Sequence, residues 1–485
     1  MVRDAVPMTP PTTKLAAQVA NQIEDDVIAA GWPVGEVLGS EAELIERYAV
    51  SRAVLREAVR IVEHHQVGAM RRGPAGGLVV RAPDASPATA AMLVYLEYVG
   101  TSVADLLEAR MILEPVAAAQ AARTITEADI GALREAVANE QQQHSRDQIS
   151  PSSNELHLLL AQLSGNPALR LFITVLVGLT ERYGRIPRRQ TSNDLEVAAA
   201  ELSRAHNAVV DAVVAGDSAR AQQHQARHVQ AMMQWLASKR RSVRVATSWQ
   251  PVIESGSGNH SKLAEVIAGQ IMDEVVAAGW PIGEVLGSEK ELLARWGVSR
   301  AVLREAVRLL EHHGVVYTRR GPGGGLVVSE PDPSASVAAM ALYLEYEQIE
   351  LRDLRLVRDA VELGCLDRLV ARAGDPEVAA QLKAAQLVHA DSTNAEVTIQ
   401  GNHLHVVMAE LAGNPVLALF IRILTALWER HIEATTGAPE DREPEVAAEV
   451  EKTHARIVEA VLAGDPELAR HRLLRHLEVA GARWH

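Results

Sequence analysis

Six histidines fall into two matching triplets. His157, His206 and His228 are separated by 49 and 22 residues, and His405, His454 and His476 repeat both spacings. Imidazole is a common ligand for Zn²⁺ and similar ions, and three imidazoles leave coordination positions open. Such wide spacing needs a fold that returns the chain to one place. In each triplet the last two histidines lie nearly equidistant from an "AGD" turn, at 215–217 and 463–465. In an antiparallel helical hairpin, equal distances from the turn bring side chains to the same level. Taken singly, a histidine is more often a surface or satisfied core residue than a ligand; the repetition is what points to a site.

A second constellation is basic. Arg300, Arg304 and Arg308 follow one another at i, i+4 and i+8, while Leu303, Val307 and Leu310 take i, i+4 and i+7 and must face a core. Residues 299–320 hold five arginines against two glutamates in a chain whose net charge is −14. That total argues against a protein that coats nucleic acid diffusely, yet it allows a local DNA-reading surface. The competing explanation is a solvated basic face on a structural helix.

The elements that must position these arginines are short. Ser288 followed by Glu291 forms a capping box that opens one helix, "GV" breaks it, and Ser299 caps a second helix running through His313. "VVYT" and "LVV" then read as two strands around the glycine-rich "RRGPGGG". Two helices at a tight turn followed by a β-wing make a winged helix-turn-helix, whose second helix enters a major groove about 12 Å wide.

The whole arrangement occurs twice. "SRAVLREAVR" stands at 51–60 and again at 299–308, and the offset of 248 holds without insertion from Lys14/Lys262 to Ala237/His485. The chain is therefore a tandem duplication of a long unit, not a solenoid. "APDASPAT" and "EPDPSAS" divide each unit into a winged-helix part and an Ala/Leu/Val-rich part that reads as a helical bundle. The expected domains are winged helices at 12–82 and 261–330, bundles at 88–238 and 336–485, and a polar linker at 239–260. The fold class is mainly α with small β-wings. No apolar run approaches the ~20 residues that cross a bilayer. "MVRDAVPMTPPTTK" lacks the apolar core of a signal peptide, and Cys365 is the single cysteine, so a reducing cytoplasm is expected.

"GEVLGSEKELLARWGVSRAVLREAVRLLEHHGVVYTRRGPGGGLVV" resembles the winged-helix domain of GntR-type bacterial transcription regulators. The resemblance implies DNA contacts from Lys290, Arg300, Arg304 and Arg320 in the second copy and from Arg52, Arg56 and Arg72 in the first. The first copy carries Ala42 where the second has Lys290, and Ala49 where the second has the usual glycine, Gly297. The bundles are similar to the FadR C-terminal (FCD) class of effector domains, through "ARMILE", "VRDAVE" and the "H…AGD…H" hairpin. That likeness implies a divalent metal ion held by the histidines and a small, acidic effector near Arg110 and Arg358. The family's metal site adds an aspartate four residues before the first histidine, where this chain has Ser153 and Gly401. Asn154 and Asn402, at i−3, could substitute. Arg110 and Arg358 read equally well as partners of their own i+4 glutamates, Glu114 and Glu362.

The expected function is a ligand-responsive transcription regulator, not an enzyme. Its halves would form an intrachain pseudo-dimer on a double-stranded DNA operator with two half-sites. Further self-association of the chain is left open. A metal-dependent enzyme using the three histidines is the alternative, but no repeated carboxylate stands at a general-base spacing beside them. A third reading is an architectural DNA-binding protein that answers to no effector.

Overall fold

The computed structural model describes residues 11–73, 76–83, 85–144, 154–183, 192–239, 259–312, 314–321, 323–331, 333–386, 394–435 and 444–483. Ser153, His313 and most of the linker at 239–260 lie outside them. The described residues form twenty helices and six short strands.

Each winged helix begins with a long helix, α1 (Pro11–Ala29) or α11 (Asn259–Ala277). A strand follows, β1 (Val37–Gly39) or β4 (Val285–Gly287), then the helix pair α2 (Glu41–Arg47) and α3 (Arg52–His64), or α12 (Glu289–Trp296) and α13 (Arg300–His312). The wing is β2 (Gly68–Arg71) with β3 (Gly77–Val80), or β5 (Val316–Arg319) with β6 (Gly325–Val328). The sheets are antiparallel, in the orders β1-β3-β2 and β4-β6-β5. The outer strands β1 and β4 have no counterpart in the sequence reading. They are three residues long, and the valine that opens each is exposed. Glycine permits their approach: a Cβ on Gly325 would meet the Gly287 carbonyl oxygen at 2.5 Å.

The capping boxes form as the spacing requires. Ser288 donates its backbone N–H to Glu291 at 2.8 Å and accepts from the Glu291 backbone on its hydroxyl, and Ser40 with Glu43 repeats the exchange. Ser299 and Ser51 accept from Val302 and Val54 and so start α13 and α3. The turn between the paired helices needs a left-handed residue. Gly297 supplies it with φ 61°, whereas Ala49 is held at φ 51°, a conformation costing a side-chain-bearing residue about 1–2 kcal/mol. Beneath α13, Val302, Leu303, Ala306 and Leu310 are buried and Val307 is half-buried, leaving the arginine face outward.

The helix that follows each wing packs on the other copy's winged helix. Leu342 on α14 (Pro333–Tyr346) is buried in the core of the first winged helix, and Tyr346 meets Trp32 edge-on at 5.5 Å. Conversely, Val94 on α4 (Ala85–Tyr98) is buried in the core of the second winged helix. Tyr98 meets Trp280 at 5.4 Å and donates its hydroxyl to Glu330 at 2.9 Å.

The bundles are helical throughout their described residues. The first comprises α5 (Val103–Thr124), α6 (Glu127–His144), α7 (Glu155–Leu163), α8 (Pro167–Tyr183), α9 (Ser192–Val214) and α10 (Ser218–Lys239). The second comprises α15 (Leu351–Ala371), α16 (Pro376–Ala385), α17 (Asn394–Leu411), α18 (Pro415–Thr435), α19 (Pro444–Leu462) and α20 (Pro466–Arg483). They pack on each other through reciprocal contacts. Asn166 donates to the Asp353 carbonyl at 2.9 Å, and its equivalent Asn414 donates to the Asp105 carbonyl at 3.1 Å. Phe172 and Phe420, the chain's two phenylalanines, stack at 4.0 Å with both rings fully buried. Arg368 adds ion pairs to Asp105 and Glu108 from one side only, since Gln120 stands at its equivalent. Among the described residues, no helix is long and apolar enough to cross a membrane.

Candidate functional site

The residues named from sequence as candidate DNA contacts sit at the surface of both winged helices. Arg52, Arg56 and Arg72 are exposed in the first copy, and Lys290, Arg300, Arg304 and Arg320 in the second. The arginines on α3 and α13 stand opposite the buried Leu/Val/Ala face, so burial of one face presents the other. The copies differ in what their helices pair with. Glu41 takes Arg52 in a two-pronged ion pair at 2.8 and 2.9 Å, whereas its equivalent Glu289 reaches Arg304 at 3.6 Å. Pairs this exposed are screened by solvent and hold their arginines only weakly. At the wing tip Arg319 donates to the Gly323 carbonyl at 3.0 Å, closing the glycine-rich turn.

The histidines come together inside each bundle. α7, α9 and α10 bring His157, His206 and His228 to one point, and α17, α19 and α20 do the same for His405, His454 and His476. Within each cluster the three ligand nitrogens lie within 4.8 Å of one another. The His206–His228 and His228–His157 Nε2 separations are both 3.3 Å; His405–His476 and His454–His476 are 3.2 and 3.3 Å. Imidazoles sharing one ion at Zn–N distances of about 2.0–2.1 Å stand about 3.0–3.4 Å apart.

Carboxylates orient three of the six rings from behind. Glu114 on α5 meets His157 Nδ1 at 2.8 Å, and Glu140 on α6 meets His206 Nδ1 at 2.6 Å; Glu362 on α15 meets His405 Nδ1 at 2.6 Å. A ring that donates Nδ1–H to a carboxylate presents a bare Nε2 lone pair. Lone pairs converging on one point repel unless a cation lies between them, so this donor set fits a divalent metal ion. Burial disfavours the charged form of four of the imidazoles: it lowers His157 and takes His228 and His454 well below the usual histidine value, and His476 falls to about 3. Burial pushes the Glu362 carboxyl up, but His405 and Arg358 more than offset it and hold it at about 2. Arg110 and His157 likewise hold Glu114 well below the carboxylate range against its burial.

Neither asparagine offered as a stand-in ligand is directed at a ring by any described hydrogen bond. Asn154 occupies the N-terminal boundary of α7. Asn402 is engaged elsewhere: its Oδ1 accepts from Arg358 Nη2 at 2.9 Å and its Nδ2 donates to Glu429 at 3.2 Å. Arg110 and Arg358 are buried, each with Nε on its i+4 glutamate, at 2.5 and 2.6 Å. Sequence reasoning took Glu114 and Glu362 only as arginine partners, yet each gives its second oxygen to a histidine. Glu140 and Gln225 were not singled out. Neither is repeated, since the second copy has Val388 and Leu473 there.

Two winged helices with outward arginines, each followed in the chain by a helical bundle, have the plan of a DNA-binding transcription regulator. The family described as "Bacterial regulatory proteins, gntR family" matches residues 15–73 and 263–327, and the FCD domain matches 105–231 and 353–479. The chain belongs to the GntR family of transcription regulators, with the DNA-binding and FCD domains each present twice; it is not an enzyme. It is 29% identical over 236 residues to the HTH-type transcriptional repressor NanR of Salmonella newport (strain SL254), covering 46% of this chain and 86% of that protein. The repressor of the same name from Salmonella arizonae is also 29% identical, over 46% of this chain and 85% of its own length. Among solved structures, Streptococcus agalactiae GntR shares 22% identity, with 45% of this chain and 99% of that one covered and a TM-score of 0.32. E. coli McbR/YncC shares 18%, with coverages of 47% and 98% and a TM-score of 0.22.

Proposed function

We propose that the chain is a ligand-responsive, cytoplasmic transcription regulator acting as an intrachain pseudo-dimer, with one winged helix for each half of a two-half-site operator. Each bundle would hold a divalent metal ion on its histidines and bind a small acidic effector beside it. The observation that carries the reading is the same arginine face on α3 and α13, exposed in both copies over a buried apolar face, in a chain of net charge −14. The reciprocal Asn166–Asp353 and Asn414–Asp105 contacts support the pseudo-dimer, because a two-fold interface repeats each contact with the partners exchanged. Effector binding would act by favouring one relative placement of the two reading heads over another. DNA sequences selected from a random pool should contain two related half-sites and bind one chain; a single half-site, or two chains per operator, would overturn the pseudo-dimer.

Arg304→Ala is expected to weaken binding to the selected operator by about 1–3 kcal/mol if the arginine reads a base edge, and to relax preference at that base pair. If it touches phosphate alone, the loss should be even across sequences, with a shallower salt dependence. Unchanged affinity in a folded variant would remove α13 from the interface.

Reader one lacks the lysine of reader two, so Ala42→Lys should tighten binding to a symmetrised operator. It should also steepen the fall of log K with log salt by about one counterion's worth. Equal protection of both natural half-sites, with no gain from Ala42→Lys, would make the two readers equivalent.

A further inference from the structure

Where a helix ends in a left-handed turn, glycine is the usual residue, because a side chain there crowds its own backbone. Gly100, Gly297 and Gly314 fill three such places, at φ 73°, 61° and 69°. Their equivalents in the other copy are Gln348, Ala49 and Gln66, held at φ 56°, 51° and 61°. Ala49 follows α2, Gln66 follows α3 and Gln348 follows α14. All three therefore fall in one body, made by the first winged helix and the α14 packed on it. The second winged helix and α4 keep glycine at every one. Trp32 and Trp280 are left-handed alike, at φ 56° and 57°, and do not distinguish the copies. The strain that separates the copies lies with the first reader.

Strained turns persist where neighbouring contacts over-determine them. Each of these three has such a contact on the residue just before it. Tyr48, beside Ala49, donates its hydroxyl to Asp26 on α1 at 2.6 Å. His65, beside Gln66, meets Glu24 on α1 at 2.6 Å, and Glu24 is buried. Glu347, beside Gln348, accepts from the Tyr343 hydroxyl at 2.9 Å. Two of these latches tie α1 to the two ends of the recognition helix α3. They have no counterpart in the other copy, where Trp296, Met272 and Val99 stand in place of Tyr48, Glu24 and Glu347. A buried charged pair commonly adds no more stability than apolar residues of similar size, and Met272 is fully buried at the place of Glu24. The latches hold the turns in place without repaying their strain.

We infer that the first reader is the switchable one. Tyr48–Asp26, His65–Glu24 and Tyr343–Glu347 hold its reading conformation against three strained turns, so it lets go of DNA while the second reader, built on glycine turns, still holds. Releasing one head takes the chain from a two-half-site grip to a one-half-site grip. This rests on the reading that each winged helix serves one half-site.

Hydrogen–deuterium exchange of the full chain, followed peptide by peptide, is the first test. Amides of α2 and α3 should exchange faster than those of α12 and α13. Ala49→Gly and Gln66→Gly should each slow exchange in α2 and α3 by about fivefold and leave α12 and α13 unchanged, because each returns glycine to a left-handed turn. Gly297→Ala should speed exchange in α12 and α13, and Tyr48→Phe, which cuts a latch, should speed it in α2 and α3. Footprinting of a two-half-site operator in rising urea reads the consequence. Protection of the half-site that depends on Arg56 should vanish before that of the half-site that depends on Arg304. The double glycine variant should bring the two losses together. Equal exchange in the two readers, glycine variants no slower than the natural chain, or earlier loss of the Arg304-dependent half-site would overturn the inference. The exchange measurements need no DNA, so failure there leaves the DNA-reading role standing. An operator protected at neither half would refute that role instead.

Discussion

A chain with alanine at both His206 and His454 is expected to carry no bound divalent metal, and the natural chain, on the proposed function, one ion for each histidine cluster. Both residues are buried within their clusters, with the ligand nitrogens within 4.8 Å of one another, so removing either opens its donor set. Elemental analysis of purified protein reads the content directly. Metal that binds only the folded state stabilises it by about 2.7 kcal/mol per site at a hundredfold excess over Kd, so the double variant should also lose the metal-dependent part of its melting temperature. The two sites should not be equal. Glu140 fixes His206 through Nδ1, whereas the equivalent His454 Nδ1 is buried with no hydrogen-bond partner among the described residues. Partners of this kind are worth about 10–100-fold in metal affinity. Titration with Zn²⁺ against a competing chelator should therefore fill the first bundle before the second, and Glu140→Gln should narrow that gap. Gly401→Asp should narrow it from the other side, since a Cβ there stands 3.6 Å from His454 Cε1 and meets no clash. Metal-free natural protein would show that the histidines serve only as a polar core, and two equal sites indifferent to Glu140 would show that this carboxylate does not tune its cluster.

The parts of this architecture that are local in sequence could be read from it, and those that depend on which copy meets which could not. Capping serines, the arginine face and the wing strands are set by residues within a few positions of one another, so spacing alone reveals them. The histidine clusters were legible because the "AGD" turn converts distance along the chain into height on a hairpin. The carboxylates behind the rings were not, because Glu114 reaches His157 only once α5 lies against α7, and nothing in the spacing encodes that packing. Glu140 left no repeat to notice. The exchanged helices are the clearest limit. Both copies carry the same tryptophan and the same tyrosine, at Trp32 and Trp280 and at Tyr98 and Tyr346. Swapped and unswapped pairings therefore use the same ring types, so spacing alone does not reveal that Trp32 meets Tyr346. Ala49 shows the reverse case: a departure visible in sequence whose positive φ the structure makes explicit.

Phe420→Ala is expected to cost about 3–5 kcal/mol, the usual loss for a large aromatic removed from a closed core. Phe172 and Phe420 are equivalent positions of the two copies, so the pseudo-two-fold relation between the bundles brings like against like. The rings lie 4.0 Å apart and 4° from parallel, with no exposure on either. Face-to-face stacking is not the arrangement two isolated rings prefer. The energy therefore comes from burial and close packing, with the surrounding helices α8 and α18 imposing the geometry. Truncating one ring leaves the other facing a cavity, and the cost falls on the seam between the copies. Phe420→Leu keeps most of the volume and should lose much less. Denaturant unfolding, followed by helical signal, reads both. If each half carries a reading head, as proposed, Phe420→Ala should also reduce the advantage of a two-half-site operator over a single half-site while leaving affinity for the single half-site unchanged. A loss below about 1 kcal/mol on truncation would mean that the seam is held by the polar contacts of Asn166, Asn414 and Arg368 instead.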